Sequence, residues 1–127
     1  MFFRSKKKKA TISAENPVRL DKNNEPAPDV SILKFRTDDY SEHHPIPEDV
    51  LILIEVTGTT YDYDKTRKSF LYAKYLIPEY WIIDIKRKRI EVYSDIDEEE
   101  YLQKKVVGIK DEVDLLNNKL LMSNIFC

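Results

Sequence analysis

The most apolar segment of the chain is residues 50–56, where five consecutive aliphatic residues precede Glu55. An unbroken run of this kind is typical of a strand that is covered on both faces, so we expect a helix to lie over at least one of them. Residues 30–35 alternate in part between apolar and polar positions. They predict an earlier strand that starts directly after Asp29.

A helix is predicted directly after the buried strand. From Asp62 or Asp64 to about Leu76 the chain contains neither glycine nor proline, and an aspartate can serve as the N-cap. Pro78 prevents the helix from continuing.

The remaining strands follow the helix. Residues 79–85 and 90–93 predict two strands joined as a hairpin, and residues 101–109 predict another strand. The apolar residues 120–126 indicate a docked helical turn or a final strand. The order strand, strand, helix, strand, strand predicts an α/β (α+β) fold with a mixed β-sheet.

The pattern gives only short elements before residue 28. Prolines and asparagines divide this stretch into extended pieces, and we expect a short edge strand at residues 18–20 and a turn near residues 22–25. Arg4 and the lysines at residues 6–9 form a basic head. We expect residues 1–12 to be a disordered, solvated terminus; the alternative is that the basic head contacts phosphates.

The composition is that of one domain, residues 1–127, with 42% hydrophobic residues and a net charge of -2. Such a chain can bury one modest core, and its charge does not by itself indicate a nucleic-acid-binding protein. The only cysteine is Cys127, which excludes an intramolecular disulfide and a cysteine-based metal site. Because no apolar run is long enough to cross a bilayer, we expect a cytoplasmic protein with no membrane partner.

Two carboxylates at the ends of apolar segments are the strongest candidates for chemistry. Asp29 opens one predicted strand and Glu55 closes the buried one. A carboxylate beside so apolar a run must be paired, hydrogen-bonded or bound to a cation. A divalent cation such as Mg²⁺ can lie between two carboxylates that would otherwise repel each other. The alternative is that Glu55 lies at an exposed sheet edge and Asp29 caps a turn.

Lys68 is the third candidate residue. Asp64, Lys68 and Tyr72 are spaced by four and share one face of the predicted helix. A lysine near a metal-bound water can lower the pKa of that water or balance charge on a phosphate. The alternative is an exposed pair of Asp64 and Lys68, which would contribute about 0.3–0.5 kcal/mol. His43 and His44 lack further zinc ligands, and we interpret them as loop residues.

Aromatic residues are concentrated between residues 61 and 81. They could stack on bases, but their positions on the predicted helix and strand favour the core or a subunit interface. They are Tyr61, Tyr63, Tyr72, Tyr75, Tyr80 and Trp81.

Three segments together resemble a known family. They are residues 15–30, which contain Pro28-Asp29; residues 45–56, which end in Ile54-Glu55-Val56; and residues 63–81, which contain Lys68 and end in Pro78-Glu79-Tyr80-Trp81. In order and spacing they are similar to the Uma-two family of restriction-type endonucleases, which is grouped with the PD-(D/E)XK nuclease superfamily. The resemblance covers residues 11–94 and, more weakly, the tail.

The resemblance implies a restriction-endonuclease-like mixed sheet flanked by helices, and hydrolysis of DNA phosphodiester bonds by an activated water. It implies that Mg²⁺, or Mn²⁺ in its place, is held by Asp29 and Glu55. It also implies that Lys68 replaces the strand lysine of the superfamily, because that position is Thr57 in this chain.

The chain departs from the family pattern in two places. Members usually begin some tens of residues earlier, with a helix and strands before the segment that corresponds to Glu15, and we expect this fold to lack them. Leu76 stands where the family tends to have glycine, so we expect the helix to end without the usual left-handed cap.

Taken together with the candidate residues, the resemblance implies a Mg²⁺-dependent DNA endonuclease. The alternative is a truncated, non-catalytic remnant or a dimerising interaction module of the same fold. Missing N-terminal elements would leave apolar sheet surface for a partner chain, so we expect a homodimer. A third interpretation is a small α+β binding domain in which Asp29 and Glu55 have a structural role.

Overall fold

A seven-stranded sheet and one α-helix dominate the computed structural model, which describes residues 2–4, 10–58 and 63–108. The strands are β1 (Phe2–Arg4), β2 (Ala10–Ala14), β3 (Val30–Lys34), β4 (Val50–Thr57), β5 (Glu79–Asp84), β6 (Arg89–Asp97) and β7 (Glu100–Gly108). The helix α1 is Tyr63–Lys74, and a short 3₁₀ helix, Pro47–Asp49, precedes β4. The predicted α+β fold with a mixed sheet is confirmed.

The sheet keeps the order of the sequence, from β1 at one edge to β7 at the other. All neighbouring strands are antiparallel except β4 and β5, which are parallel. Two consecutive parallel strands require a crossover connection, and the segment that contains α1 provides it. The carboxyl ends of β4 and β5 therefore lie at the same end of the sheet, where Thr57 pairs with Asp84.

The residues of β4 contribute to apolar clusters on both faces of the sheet. Leu53 packs in one cluster with Tyr72 of α1 and Tyr80 of β5. Ile54 packs in the other cluster with Trp81. This confirms the prediction of a strand covered on both faces. Side chains alternate along a strand, so Glu55, two residues after Leu53, lies on the face that α1 covers.

The helix ends at a left-handed residue, which corrects an expectation from the sequence. Leu76 has a φ of 61°, although it is not a glycine. Its N–H bonds to the carbonyl of Ala73, and the N–H of Ile77 bonds to the carbonyl of Tyr72, both at 3.0 Å. These two bonds form a Schellman motif. The motif forms with leucine because the Leu76 side chain is 63% exposed and Ile77 behind it is buried in the core.

The N-terminal part of the chain is more ordered than its sequence indicated. The expectation of disorder at residues 1–12 is wrong at Ala10 and Thr11, which are buried in β2 because this strand pairs with β3. Strands β1 and β2 precede Glu15, whereas we expected the N-terminal strands to be missing. Residues 5–9 and the predicted element at residues 120–126 lie outside the described residues.

The predicted edge strand at residues 18–20 is a loop. Val18 and Leu20 are buried, but their backbone groups bond to other loops rather than to a strand. The N–H of Val18 bonds to the carbonyl of Pro26 at 2.9 Å, and the N–H of Arg19 bonds to that of Pro45 at 2.8 Å. The apolar residues of this segment are therefore buried without belonging to a strand.

Candidate active site

Asp29 lies directly before β3 and beside the carboxyl end of β4. The antiparallel register pairs Val30 with Ile54, which brings residue 29 next to residues 55 and 56. Its Oδ2 atom accepts a hydrogen bond of 2.7 Å from the backbone N–H of Val56. The carboxylate is thus fixed against β4 while the side chain remains 41% exposed to solvent.

Glu55 is a buried carboxylate at the interface between β4 and α1. Its side chain is only 4% exposed. The Nζ atom of Lys68 lies 3.3 Å from Oε1, and the hydroxyl of Tyr80 lies 3.0 Å from Oε2. Burial of an unpaired carboxylate costs several kcal/mol. These two contacts supply the compensation that burial of Glu55 requires.

Helix α1 places one lysine beside each carboxylate. Lys65 and Lys68 are three residues apart and therefore neighbours on the helix surface. The Nζ atom of Lys65 is 3.6 Å from Oδ2 of Asp29 and donates a hydrogen bond to the backbone carbonyl of Val56. Lys68 makes the corresponding approach to Glu55. We call Asp29, Glu55, Lys65 and Lys68 the charge quartet; its two carboxylates and two ammonium groups balance.

The sequence pointed to three members of the charge quartet, and the structure brings these three together. Lys68 contacts Glu55 on β4, which the sequence could not establish. The fourth member, Lys65, was missed. Its spacing of three from Lys68 was the available signal, but a basic residue at such a spacing is common on exposed helices.

Two buried tyrosines form the floor of the site. The rings of Tyr72 and Tyr80 meet edge to face, with their centroids 4.8 Å apart. The Tyr80 hydroxyl lies 2.6 Å from the backbone carbonyl of Lys65 as well as 3.0 Å from Glu55, so its single proton is shared between two acceptors. Burial, and then the charge of Glu55, raise the pKa of both tyrosines far above the ordinary value. Both therefore remain neutral, and Tyr80 acts as a hydrogen-bond donor.

Several hydroxyl groups are buried without a hydrogen-bond partner among the described residues, and two of them lie near the charge quartet. These two belong to Tyr72 and Thr57. Such groups are uncommon in folded proteins and often mark a site for a water or a ligand.

Oxygen atoms dominate the donor set of the site. No group of three or more His, Cys, Asp or Glu side chains suited to a metal occurs in the described residues. The carbonyl oxygen of Val56 is a third oxygen donor, in addition to the two carboxylates of the charge quartet. It accepts a hydrogen bond from the ammonium group of Lys65, which also contacts Asp29. Mg²⁺ keeps several waters and commonly uses only one or two protein carboxylates. The donor set therefore fits Mg²⁺, and it already attracts a cationic group.

The histidines lie away from this site, in the loop between β3 and β4. His43 contacts the Arg36 guanidinium at 3.3 Å, and His44 contacts Glu25 at 3.1 Å. Both line a cavity together with Arg19. Their interpretation as loop residues agrees with the structure.

The mixed sheet, the carboxylates at the ends of adjacent strands and the lysines that face them define a restriction-endonuclease-like protein. No helix of the described residues has the length and apolar character needed to span a membrane. A family model described as "Putative restriction endonuclease" matches residues 2–122. The chain therefore belongs to the Uma-two family, as its sequence motifs indicated.

A solved structure supports the same fold. The chain is similar to a crystal structure described as "a putative nuclease" from Anabaena variabilis ATCC 29413, with a TM-score of 0.58 and 16% sequence identity. The similarity covers 80% of this chain and 56% of the other, so the chain spans little more than half of that protein. No curated protein matches the chain.

Proposed function

We propose that this chain is a Mg²⁺-dependent endonuclease that hydrolyses phosphodiester bonds of DNA with an activated water. The observation that carries the proposal is the charge quartet, in which α1 holds two lysines against two carboxylates at the carboxyl end of β4. Membership of a restriction-endonuclease family supports the choice of reaction.

Asp29 and Glu55, with the carbonyl oxygen of Val56, are the groups that would hold Mg²⁺ or Mn²⁺. The bound cation would supply a water of lowered pKa and a positive charge next to the phosphate. The hydrogen bond from Val56 N–H orients Asp29, and the Tyr80 hydroxyl orients Glu55. The chain therefore fixes one carboxylate through a backbone N–H of β4 and the other through a buried hydroxyl of β5.

Lys68 is suited to contact the reacting phosphate. Its side chain is 36% exposed although its ammonium group reaches the buried Glu55. An ammonium group that lies between a buried carboxylate and solvent can stabilise the negative charge that develops on a phosphate during attack. Lys65 is less accessible, with 18% of its side chain exposed. We therefore assign to it the ion pair with Asp29 and not a contact with the phosphate.

The experiment is cleavage of supercoiled plasmid DNA in Mg²⁺ or Mn²⁺ by the parent chain and by Asp29→Asn and Glu55→Gln. We expect each substitution to reduce the cleavage rate by about a hundredfold or more, because a site cation contributes several kcal/mol to the transition state. Glu48→Gln is the matched control, since Glu48 is exposed and lies before β4, at the other end of the sheet. Cleavage that survives both site substitutions would overturn the mechanism.

A second candidate is a non-catalytic module of the same fold. It is favoured by the charge balance of the quartet, because the lysines already neutralise both carboxylates. Calorimetric titration with Mn²⁺ separates the two candidates. An endonuclease requires binding that Glu55→Gln abolishes, whereas the module requires no site-specific binding. Homodimerisation stays a prediction, which sedimentation equilibrium measures directly.

A further inference from the structure

Four consecutive cationic residues cover the turn between β5 and β6 and the first residue of β6. They are Lys86, Arg87, Lys88 and Arg89, and we call them the hairpin tip. The tip follows the carboxyl end of β5, where Thr57 of β4 pairs with Asp84. The N–H of Ile85 bonds to the carbonyl of Thr57 at 3.2 Å. The hairpin tip and the charge quartet therefore lie at the same end of the sheet.

Buried carboxylates hold the arginines of the hairpin tip. Asp84 is 1% exposed and accepts hydrogen bonds from the backbone N–H of Arg87 at 3.0 Å and from its guanidinium at 3.2 Å. Glu91, also 1% exposed, lies 3.4 Å from the guanidinium of Arg89. Burial alone would raise the pKa of Asp84, but the bonds from Arg87 outweigh it and lower this pKa. Asp84 therefore remains ionised as an anchor.

The anchored arginines remain partly exposed to solvent. The side chains of Arg87 and Arg89 are 47% and 36% exposed. A guanidinium that is fixed through one edge loses less side-chain entropy when the other edge binds a phosphate. A turn that served only to connect two strands would not require two buried carboxylates, whose desolvation is costly.

Charge is separated between the two ends of the β5–β6–β7 unit. The hairpin tip is basic, whereas the turn between β6 and β7 carries Glu98 and Glu99, flanked by Asp97 and Glu100. Strand β6 has nine residues, which separates the two turns by roughly 30 Å. The net charge of -2 conceals this asymmetry. Within this unit, a polyanion would meet favourable charge at the end that contains the hairpin tip.

We propose that the hairpin tip binds backbone phosphates of the DNA strand. These phosphates lie on the β5 side of the bond that is cut. This inference rests on the proposed function for the choice of DNA. Glu55 and Thr57 are two residues apart, about 7 Å along β4. The tip next to Thr57 therefore lies within a few nucleotides of the carboxylates, since phosphates follow each other every 3.4 Å along the axis, roughly, on one strand.

The test compares two double variants that each remove two positive charges. The first is Lys86→Gln with Lys88→Asn, because Lys88 has a φ of 51° and asparagine tolerates this conformation. The matched control is Lys22→Gln with Lys74→Gln. Both control residues are exposed and line a cavity with Pro47, at the start of β4 and far from the tip.

Binding of a fluorescent DNA duplex is measured by anisotropy without a divalent cation, at about 50 to 200 mM salt. We expect the tip variant to lose about tenfold in affinity at roughly 0.1 M salt for each phosphate contact removed. The slope of log affinity against log salt should become shallower by about 0.9 per contact. The control variant should retain the affinity and slope of the parent.

Equal losses in the two variants would show a general charge effect and overturn the inference. Absence of duplex binding by the parent would also overturn it. Failure of the proposed reaction has a different signature: the parent binds DNA through the tip, but adding Mg²⁺ or Mn²⁺ gives no cleavage. The tip variant should also bind Mn²⁺ with the parent affinity, which excludes damage to the charge quartet.

Discussion

Lys65 occupies the position between Asp29 and the carbonyl oxygen of Val56 that a cation would need. We expect Lys65→Met to tighten Mn²⁺ binding by roughly fivefold, since it removes about 1 kcal/mol of like-charge repulsion at a partly exposed site. Lys65→Arg keeps the charge and should bind Mn²⁺ like the parent. Calorimetric titration measures both. Weaker binding by Lys65→Met would mean that the ammonium group positions Asp29 instead of competing with the cation.

Substitution of the two tyrosines beneath the site should have different effects on stability. Tyr80→Phe removes the hydrogen bonds to Glu55 and to the carbonyl of Lys65, and it should lower the free energy of unfolding by about 1–3 kcal/mol. Tyr72→Phe removes a buried hydroxyl without a partner among the described residues, so it should be neutral or slightly stabilising. Urea unfolding measures both variants. Equal destabilisation would mean that the Tyr72 hydroxyl has a bound partner.

Single residues were predictable where chain position decides their surroundings. Asp29 and Glu55 stand at strand ends in the sequence, and antiparallel pairing of β3 with β4 brings them together. The partners of these carboxylates were harder to predict. The contacts of Lys65 and Tyr80 depend on how α1 docks on the sheet, which no local pattern specifies. The aromatic residues Tyr72 and Tyr80 were correctly expected in the core, but the polar contact of Tyr80 was not foreseen.

Among the elements, the end of α1 stores conformational strain. Leu76 adopts a positive φ of 61°, a conformation that costs residues other than glycine about 1–2 kcal/mol. Leu76→Gly should raise the free energy of unfolding by about 0.5–1 kcal/mol after the greater flexibility of glycine in the unfolded chain is deducted. Thermal unfolding measures the gain. Leu76→Ala is the control, because alanine keeps the strain; an equal gain from both would point to the exposed leucine side chain instead.

Strands and helices were predictable where the spacing of apolar residues in the sequence matches the positions that are buried in the structure. The aliphatic run of β4, the helix α1 and the hairpin of β5 and β6 all follow their patterns. Strand β2 was missed because its residues Ala10–Ala14 carry little apolar signal of their own. This strand forms through pairing with β3, a contact between distant parts of the chain that the local sequence does not contain.

For the whole molecule, charge placement matters more than total charge. The composition gave no indication of a polyanion-binding surface, yet the fold collects basic residues at the end of the sheet that carries Asp29 and Glu55. Local hydrogen bonds in other loops lower the pKa of two carboxyl groups. The side-chain bond from Arg36 lowers the pKa of Asp38. In a separate loop, the hydrogen bond from Tyr75, followed by that from Asn24, lowers the pKa of Asp21.

The stability of the fold in acid tests the contribution of Asp21. The pKa of Asp21 falls from 3.8 to about 2 in the folded protein. A carboxyl group with a depressed folded pKa stabilises the fold fully above its unfolded value, and this contribution disappears as the pH falls through the folded pKa. We therefore expect the free energy of unfolding to decrease between about pH 4 and about pH 2. Urea unfolding across this range should show a shallower decrease for Asp21→Asn, which cannot titrate; a decrease as steep as in the parent would show that Asp21 contributes nothing.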